Sequence, residues 1–545
     1  MPRMLALAIL IPTLFSPLRS PAQEPAPAIR VSTHLVLVDV TATDRQGKPV
    51  TDLKREDFVV EENGKTQKIA TFVSPAENQA NAAATTLPPG IFSNLPQFRS
   101  PGGPIVVLVL DALNTPFKDQ AYARDQMLKF VRDQYKPGQR MAIFALAGTL
   151  IRLQDFTTDP RVLYAAVVHH LPKLPQYGVA QEAPSDLGDG SADIATVSEV
   201  SSALDTFDAA ELAFAEDRRV EITLNALDSL SRMLGGMTGR KSVVWVTGAF
   251  PFTLIPEERS LSAAELKDVL PNINTRRPDT LAGGTYSSIQ RGSHTQEIRD
   301  AAARLSNAQV AIYPIDARGL SISTHFNDER TMREIADETG GRVYVNQNEI
   351  KDGVALAFAD NSSSYTLGYY PENKKFDGEY RHIKTKIARE GLELHYRKGY
   401  YATDFTPKKD SHPEQGVAAA LGDAAPATTV PFTVRVKSPA DNAVKGKVGV
   451  DFLVDANSIS GEDTSAGKHL DLAFYAAFVS AGKVLSPRSI KVDRTFDQKT
   501  YQQMVQQGIM LHMDLDPQAT GFPLILAVHD NHSGLIGTVR AFVPQ

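Results

Sequence analysis

The sequence predicts an α/β fold, a doubly wound and mostly parallel sheet, flanked by all-β sandwich segments. Three observations predict it. Wholly apolar runs such as Ile105–Leu110 and Val243–Val246 end at Asp111 and Thr247 and alternate with stretches of helical spacing, the pattern of strands buried on both faces between crossover helices. Residues 29–74 and 363–401 alternate apolar and polar side chains, the period of half-exposed strands. From residue 430 to 545 further alternating runs follow with no helical pattern between them, which reads as a separate β-sandwich of ordinary single-domain size.

Taken in order, Arg3 precedes the apolar run Met4–Phe15, and Ser20-Pro21-Ala22 ends in a small residue. This is the pattern of a secretory signal peptide (1–22) cleaved after Ala22. The run is too short to cross a bilayer, which needs about 20 apolar residues, and no later segment supplies them. The expected mature chain is therefore exported, to a periplasm, a cell envelope or the medium, without a transmembrane segment. Val36, Val38, Val40 and Ala42 then share one face of a strand, and Phe58–Val60 leads into Asn63-Gly64, a tight-hairpin signal because both positions tolerate positive φ. Ile69–Val73 makes the return strand. These 29–74 strands are too few to close a core, so 363–401 is expected to complete their sandwich, with Tyr365–Tyr370, Tyr380–Ile387 and Leu392–Tyr396 as partners. Residues 75–104 and 402–429 read as linkers rich in Pro and Ala.

Between the sandwich halves lies the α/β domain, 104–361. Strand 105–110 is followed by Pro116 in the first turn of a helix, with Thr115 as its N-cap, and by Ala123, Met127, Phe130 and Val131 at helical spacing. Met141–Leu146 and Leu150–Phe156 are strands; Asp159-Pro160 opens a short helix. Val220, Leu224, Leu227, Leu230 and Met233 mark a helix closed by Gly235-Gly236, before strand 243–246. A helix through Ala302–Leu305 precedes strand Val310–Ile315, which stops at Asp316; Met332–Ala336 is helical up to Gly340-Gly341, and a last helix occupies 350–361. Two stretches, 172–215 (partly helical) and 254–295, are too long for plain connections and read as surface insertions.

Composition narrows the function. With 57 Lys+Arg against 63 Asp+Glu the formal charge is −6, which gives no basic footprint for nucleic acid. The absence of cysteine excludes disulfides, thiol nucleophiles and Cys-ligated zinc. Phosphate-loop, dinucleotide-loop, zinc-helix and nucleophile-elbow motifs are missing. His169-His170 lacks a third ligand and reads as a solvated helix end. Lys374-Lys375 and the basic stretch Arg381–Lys398 read as a solvated sheet face, and Tyr365, Tyr369, Tyr370, Tyr400 and Tyr401 as sandwich core and rim.

In an open parallel sheet, ligands sit beyond the carboxyl ends of the strands, where the strand order reverses. Asp111 falls there, followed by Asn114 and Thr115. A carboxylate and a hydroxyl four positions on supply two oxygens of the kind Mg²⁺ prefers; the same pair serves equally well to cap the following helix.

Val36–Thr41 with Gly47-Lys-Pro-Val50 and Glu56-Asp-Phe58, Leu110-Asp-Ala-Leu-Asn-Thr-Pro116, Gly239–Trp245, Tyr313–Gly319, Glu334-Ile-Ala through Arg342, Leu367–Pro371 and Arg397–Tyr400 follow one another in an order that resembles the von Willebrand factor type A domain, and more closely the acidobacterial proteins related to it. The resemblance runs from about 30 to 401. It implies a binding or adhesion module rather than an enzyme. It also implies a metal-ion-dependent adhesion site of pattern Asp-x-Ser-x-Ser, matched by Asp111 and Thr115, with Leu113 in place of the middle Ser; Thr223 matches a later Thr. Thr247-Gly248-Ala249 lacks the carboxylate that the family carries there, so the site is degenerate and any Mg²⁺ would be weakly held. Asp316 stands near enough along the sheet to restore a charge, or else pairs with Arg318. A phosphatase of the haloacid dehalogenase type also begins with Asp after a buried strand, but Leu113 occupies its general-acid position. The reading is an exported, non-catalytic protein that binds an extracellular or envelope protein near Asp111, Asn114, Thr115 and Thr223, with a cell-envelope scaffold as the alternative.

Overall fold

Seven consecutive side chains shielded from solvent, Ile105–Asp111, form the central strand, β1. In a computed structural model, residues 35–79, 87–95, 98, 104–136, 138–170, 194–252, 294–319, 326–346, 349–403, 413–423, 425–480, 483–518 and 521–544 are described, with the backbone alone over 78–79, 194–213, 295, 326–327, 413–415 and 483. The signal peptide, 172–193 of the first insertion and nearly all of the second lie outside the described residues. After β1 come α1 (Phe117–Asp133), β2 (Arg140–Leu146), β3 (Leu150–Thr157), α2 (Pro160–His169), α3 (Ile194–Leu234), β4 (Lys241–Thr247), α4 (Thr295–Asn307), β5 (Val310–Asp316), α5 (Phe326–Thr339) and α6 (Ile350–Ser362).

The sheet order is β5-β4-β1-β2-β3. Contacts β5–β4, β4–β1 and β1–β2 are parallel; β3 is antiparallel to β2, because the residues Ala147-Gly148-Thr149 between them are too few for a crossover. Helices cover both faces. On one, Val106, Leu108, Val244 and Tyr313 pack against Met127 and Phe130 of α1 and Val354 and Phe358 of α6. On the other, Val107, Val109, Trp245 and Ile312 meet Leu227 and Leu230 of α3, Ile298 of α4 and Ile335 of α5. Strand order reverses at β1, which places the carboxyl ends of β1 and β4 side by side.

One expectation about this region changes and one is extended. The helix through Val220–Met233 is continuous with the helical part of the first insertion and starts at Ile194: neither Gly nor Pro interrupts 194–234, so nothing in the first insertion's second half stops a helix growing back from the buried turns. Helix α1 takes Pro116 as its N-cap with no side-chain bond, and Thr115 is engaged elsewhere.

The strand Val36–Asp44 pairs with Tyr365–Tyr369 and with Leu392–His395, and Ile69–Val73 joins the far side of Tyr365–Tyr369. A second sheet runs Gly399–Thr403, Asp377–Ile387, Phe58–Glu62, Lys65–Gln67; its hairpin turns at Asn63 (φ 46°) and Gly64 (φ 79°). Val38, Val40, Phe58, Val60, Tyr365 and Ile383 form the core between these sheets. The basic stretch is not a uniformly solvated face. Alternation puts Arg381 on the inner side with Ile383 and Thr385, 2% exposed, where it donates to Glu62 Oε1 at 3.2 Å. Glu62 also accepts from Tyr369 and Tyr400, each at 2.8 Å. His382, Lys384 and Lys386 carry the exposed side. Of the five tyrosines, Tyr370 alone is exposed.

The C-terminal strands form two sheets around Phe432, Phe452, Phe474, Phe478 and Leu526. The span read as a linker before residue 104 contributes a strand, Ile91–Ser93, to the edge of one, antiparallel to Phe432–Lys437.

Candidate functional site

Asp111 ends β1 and is only 2% exposed. Its two carboxylate oxygens face five donors. Oδ1 accepts the backbone N–H groups of Leu113 (3.0 Å) and Asn114 (2.9 Å), which folds residues 112–114 back over the strand end as an Asx turn. Oδ2 accepts Asn114 Nδ2 at 2.9 Å and Trp245 Nε1 at 3.0 Å, and lies 2.9 Å from Thr247 Oγ1. The last two come from β4, so the carboxylate clamps the crevice between the reversing strands. Burial drives the Asp111 pKa upward, against the opposing pull of the Trp245, Asn114 and Thr247 hydrogen bonds.

The rest of the loop is fixed in the same way. Leu113 is wholly buried in the core with side chains of α3. Asn114, 2% exposed, divides its two amide hydrogens between Asp111 and Thr223 Oγ1 (3.3 Å), while its Oδ1 is buried without a partner. Thr115 Oγ1 accepts the Gly248 N–H at 2.9 Å. A Cβ at Gly248 would lie 2.9 Å from Asn114 O, so the β4 loop approaches the β1 loop as closely as it does only because residue 248 has no side chain. Gln120 of α1 adds bonds to Ala112 O (3.1 Å) and Thr115 O (2.9 Å).

Asp111, Asn114, Thr115 and Thr223 are therefore brought together by direct bonds or by a shared loop. Asp316 is engaged separately: it accepts Arg318 N and Nε, each at 2.9 Å, and Arg318 Nη2 at 2.8 Å, while Arg318 Nη1 reaches Asp328 at 2.8 Å. Pairing with Arg318 is thus the role the structure gives it. Sequence reasoning missed Trp245 and Gln120, and took Thr247 only as part of a loop without a carboxylate. The one available signal was Trp245 itself, the chain's single tryptophan and an indole N–H within the apolar run Val243–Val246, which needs an acceptor when buried.

As arranged, these residues do not fit Mg²⁺. The ion requires about six oxygens near 2.1 Å, several of them water, whereas Asp111 is saturated by N–H and O–H donors and Thr115 and Thr223 each accept one. Among the described residues no group of three or more His, Asp or Glu side chains is placed to hold a metal. A cavity of about 20 Å³ beside Asp111, Thr115, Gln120 and Arg124 has room for one water.

No protein-family model matches the chain, and no curated protein matches it. Among solved structures, BatB from Bacteroides thetaiotaomicron, described as a conserved hypothetical protein, is 12% identical over 48% of this chain and 99% of its own, with a TM-score of 0.24. An aerotolerance-related membrane protein from Bacteroides fragilis is 12% identical over the same shares, at 0.23. A von Willebrand factor type A protein from Catenulispora acidiphila is 10% identical over 67% of this chain and 80% of its own, also at 0.23. Identity and TM-score are too low for these likenesses to assign a family or an activity.

Proposed function

We propose that this chain is an exported, non-catalytic protein-binding module that recognises an extracellular or envelope protein with the rim around the carboxyl end of its five-stranded sheet, without a metal. The observation that carries the reading is the full internal use of Asp111: every bond it makes orders the 112–115 and 247–249 loops, and none leaves it free to attack or to transfer a proton. Asp111, Asn114, Thr115 and Thr223 act from beneath, holding the rim in shape. Phe117, next along the chain and 48% exposed, is an apolar side chain that the described part of the rim offers to a partner; aromatic residues are enriched in such contacts. No helix among the described residues is long and apolar enough to cross a membrane.

Asp111 is a poor probe because replacing it would disturb the loops themselves. Phe117→Glu is better, with Met510→Glu, 72% exposed on a C-terminal strand, as the control. In cross-linking against envelope extract, a protein held by the wild type and by Met510→Glu should be lost with Phe117→Glu. Equal capture by both variants would move recognition away from this rim. Calorimetric titration with millimolar Mg²⁺ is expected to give no heat; saturable heat lost in Thr223→Val would restore the metal.

A scaffold reading is favoured by a different observation. Arg232 of α3 pairs with Asp423 at 2.8 Å, with side-chain exposures of 19% and 9%, so the α/β domain is locked to the segment that leads into the C-terminal strands. If neither variant changes a partner list, this reading stands.

A further inference from the structure

We propose that the buried junction between the α/β domain and the N-terminal sandwich binds one monovalent anion of halide size, held by Arg240 and Arg397. Arg240 and Arg397 line one cavity of about 30 Å³, together with Asp39, Gln309 and Glu338. Arg240, just before β4, is 4% exposed; Arg397, between the strands Leu392–His395 and Gly399–Thr403, is 8% exposed. Their hydrogen bonds go to uncharged oxygens: Arg240 donates to Tyr313 Oη (2.9 Å), Gly340 O and Asp39 O, and Arg397 to Leu37 O (2.6 Å). Each keeps a buried Nε–H with no acceptor. Orphaned buried donors are rare, and an ion or water is the usual reason for them.

Charge separates those two occupants. Lys241, 1% exposed, adds a third buried cation, bonded to Met237 O at 2.9 Å; burial pulls its pKa down to about 8. The Asp39 carboxylate, which lines the same cavity, is hydrogen-bonded to Thr366 Oγ1 at 2.6 Å and Gln309 Nε2 at 3.2 Å, and its one negative charge is shared among all three cations. Glu338 bonds to Tyr380, and burial pushes it to about 7, so at neutral pH it is only partly ionised. Neighbouring charges cancel in pairs, Arg342 with Asp360 and Arg381 with Glu62. The junction therefore holds more buried positive than negative charge, which is costly unless neutralised. A water would satisfy the two N–H groups but not that charge. A halide does both and is not much larger than a water, whereas oxyanions such as sulfate exceed the space.

One anion bridging Arg240 and Arg397 would tie the two domains together and stabilise the folded chain by mass action. The test is thermal unfolding of the full chain in sodium chloride and in sodium gluconate at equal ionic strength, gluconate being too large for the cavity. The midpoint is expected to rise by about 2–5 °C in chloride, to saturate with concentration, and to be reproduced by bromide; Arg397→Met should remove the difference between salts. Crystals grown in bromide should show an anomalous peak between the two guanidinium groups, a readout on the wild type that stands even if the variant does not fold. Equal midpoints in the two salts, or a cavity holding water in bromide crystals, would overturn the proposal.

Discussion

The carboxylate of Asp111 is surrounded by donors, and that arrangement decides how the position responds to substitution. In Asp111→Asn the Oδ1 side can still accept from Leu113 N and Asn114 N, but the new amide hydrogens would point at Asn114 Nδ2 and Trp245 Nε1. Stranding a buried donor costs about 1–3 kcal/mol, so a loss of about 2–4 kcal/mol is expected in urea unfolding; a loss under about 0.5 kcal/mol would mean the clamp is dispensable. The pH dependence has a defined sign. Burial raises the Asp111 pKa above its ordinary 3.8, so the native state holds this proton more tightly than the unfolded one. Its contribution is fully present below 3.8 and declines as pH rises through the elevated native value. The wild type's advantage over Asp111→Asn should shrink over that window when unfolding is measured at a series of pH values. At this scale the sequence pointed to Asp111 through its place after an apolar run. What it could not show is the direction of the bonds: Trp245 and Thr247 arrive from a strand 134 and 136 positions away, and a carboxylate reads the same in a sequence whether it faces a ligand or an indole.

Helices and strands were legible where burial is uniform or strictly alternating. β1, β4 and β5 are apolar over most of their length and lie fully inside, and the Asp377–Ile387 strand alternates along most of its length. The start of α3 was not legible, because no residue marks it, and neither was Ile91–Ser93, whose partners Thr433, Val434 and Arg435 lie more than 300 positions further on. Glycine at helix ends carried more than a stop signal. After α5, Gly340 adopts φ 77°, and a Cβ on Gly341 would fall 1.9 Å from Ile312 O on β5. The helix end thus packs directly on the strand backbone. Gly341→Ala must push β5 and α5 apart and is expected to cost about 2–4 kcal/mol. Gly416, exposed in the helix Pro413–Gly422, has nothing within 4 Å of where an added methyl group would sit, so Gly416→Ala should instead gain about 0.5–1 kcal/mol from helix propensity. Chemical denaturation of the two variants side by side checks both signs; similar effects would show that close approach is not what selects glycine at 341.

At the scale of the molecule, the chain is stitched by residues that return to distant domains. Asn94 is the clearest stitch. It lies 1% exposed just after the strand Ile91–Ser93, donates through Nδ2 to Ala427 O and Val430 O at 2.9 Å each, and accepts Phe432 N at 2.9 Å. Nearby, Thr428 accepts the Gly236 N–H at 2.9 Å and donates to Met233 O at 2.8 Å, so the same short segment is bonded to the end of α3 on one side and to Asn94 on the other. Composition and spacing marked 425–429 only as a connection, because its role depends on two partners that approach it from distant parts of the chain. Asn94→Ala removes three buried bonds at that point; Ala427 O keeps the Thr538 N–H at 2.9 Å, while the Val430 carbonyl and the Phe432 amide lose their Asn94 partner, a cost of about 1–3 kcal/mol. The loss should be spatially selective. The C-terminal strands, deprived of the Asn94 anchor at the Ile91–Ser93 edge, are expected to unfold at a lower temperature while the sheet around β1, whose cores do not include this residue, keeps its midpoint. Hydrogen exchange read along the chain checks this: protection should fall across 91–93 and 430–437 and stay unchanged across 105–111. A uniform fall over all of these strands would show instead that the domains unfold as one unit and that Asn94 stabilises the whole rather than the joint.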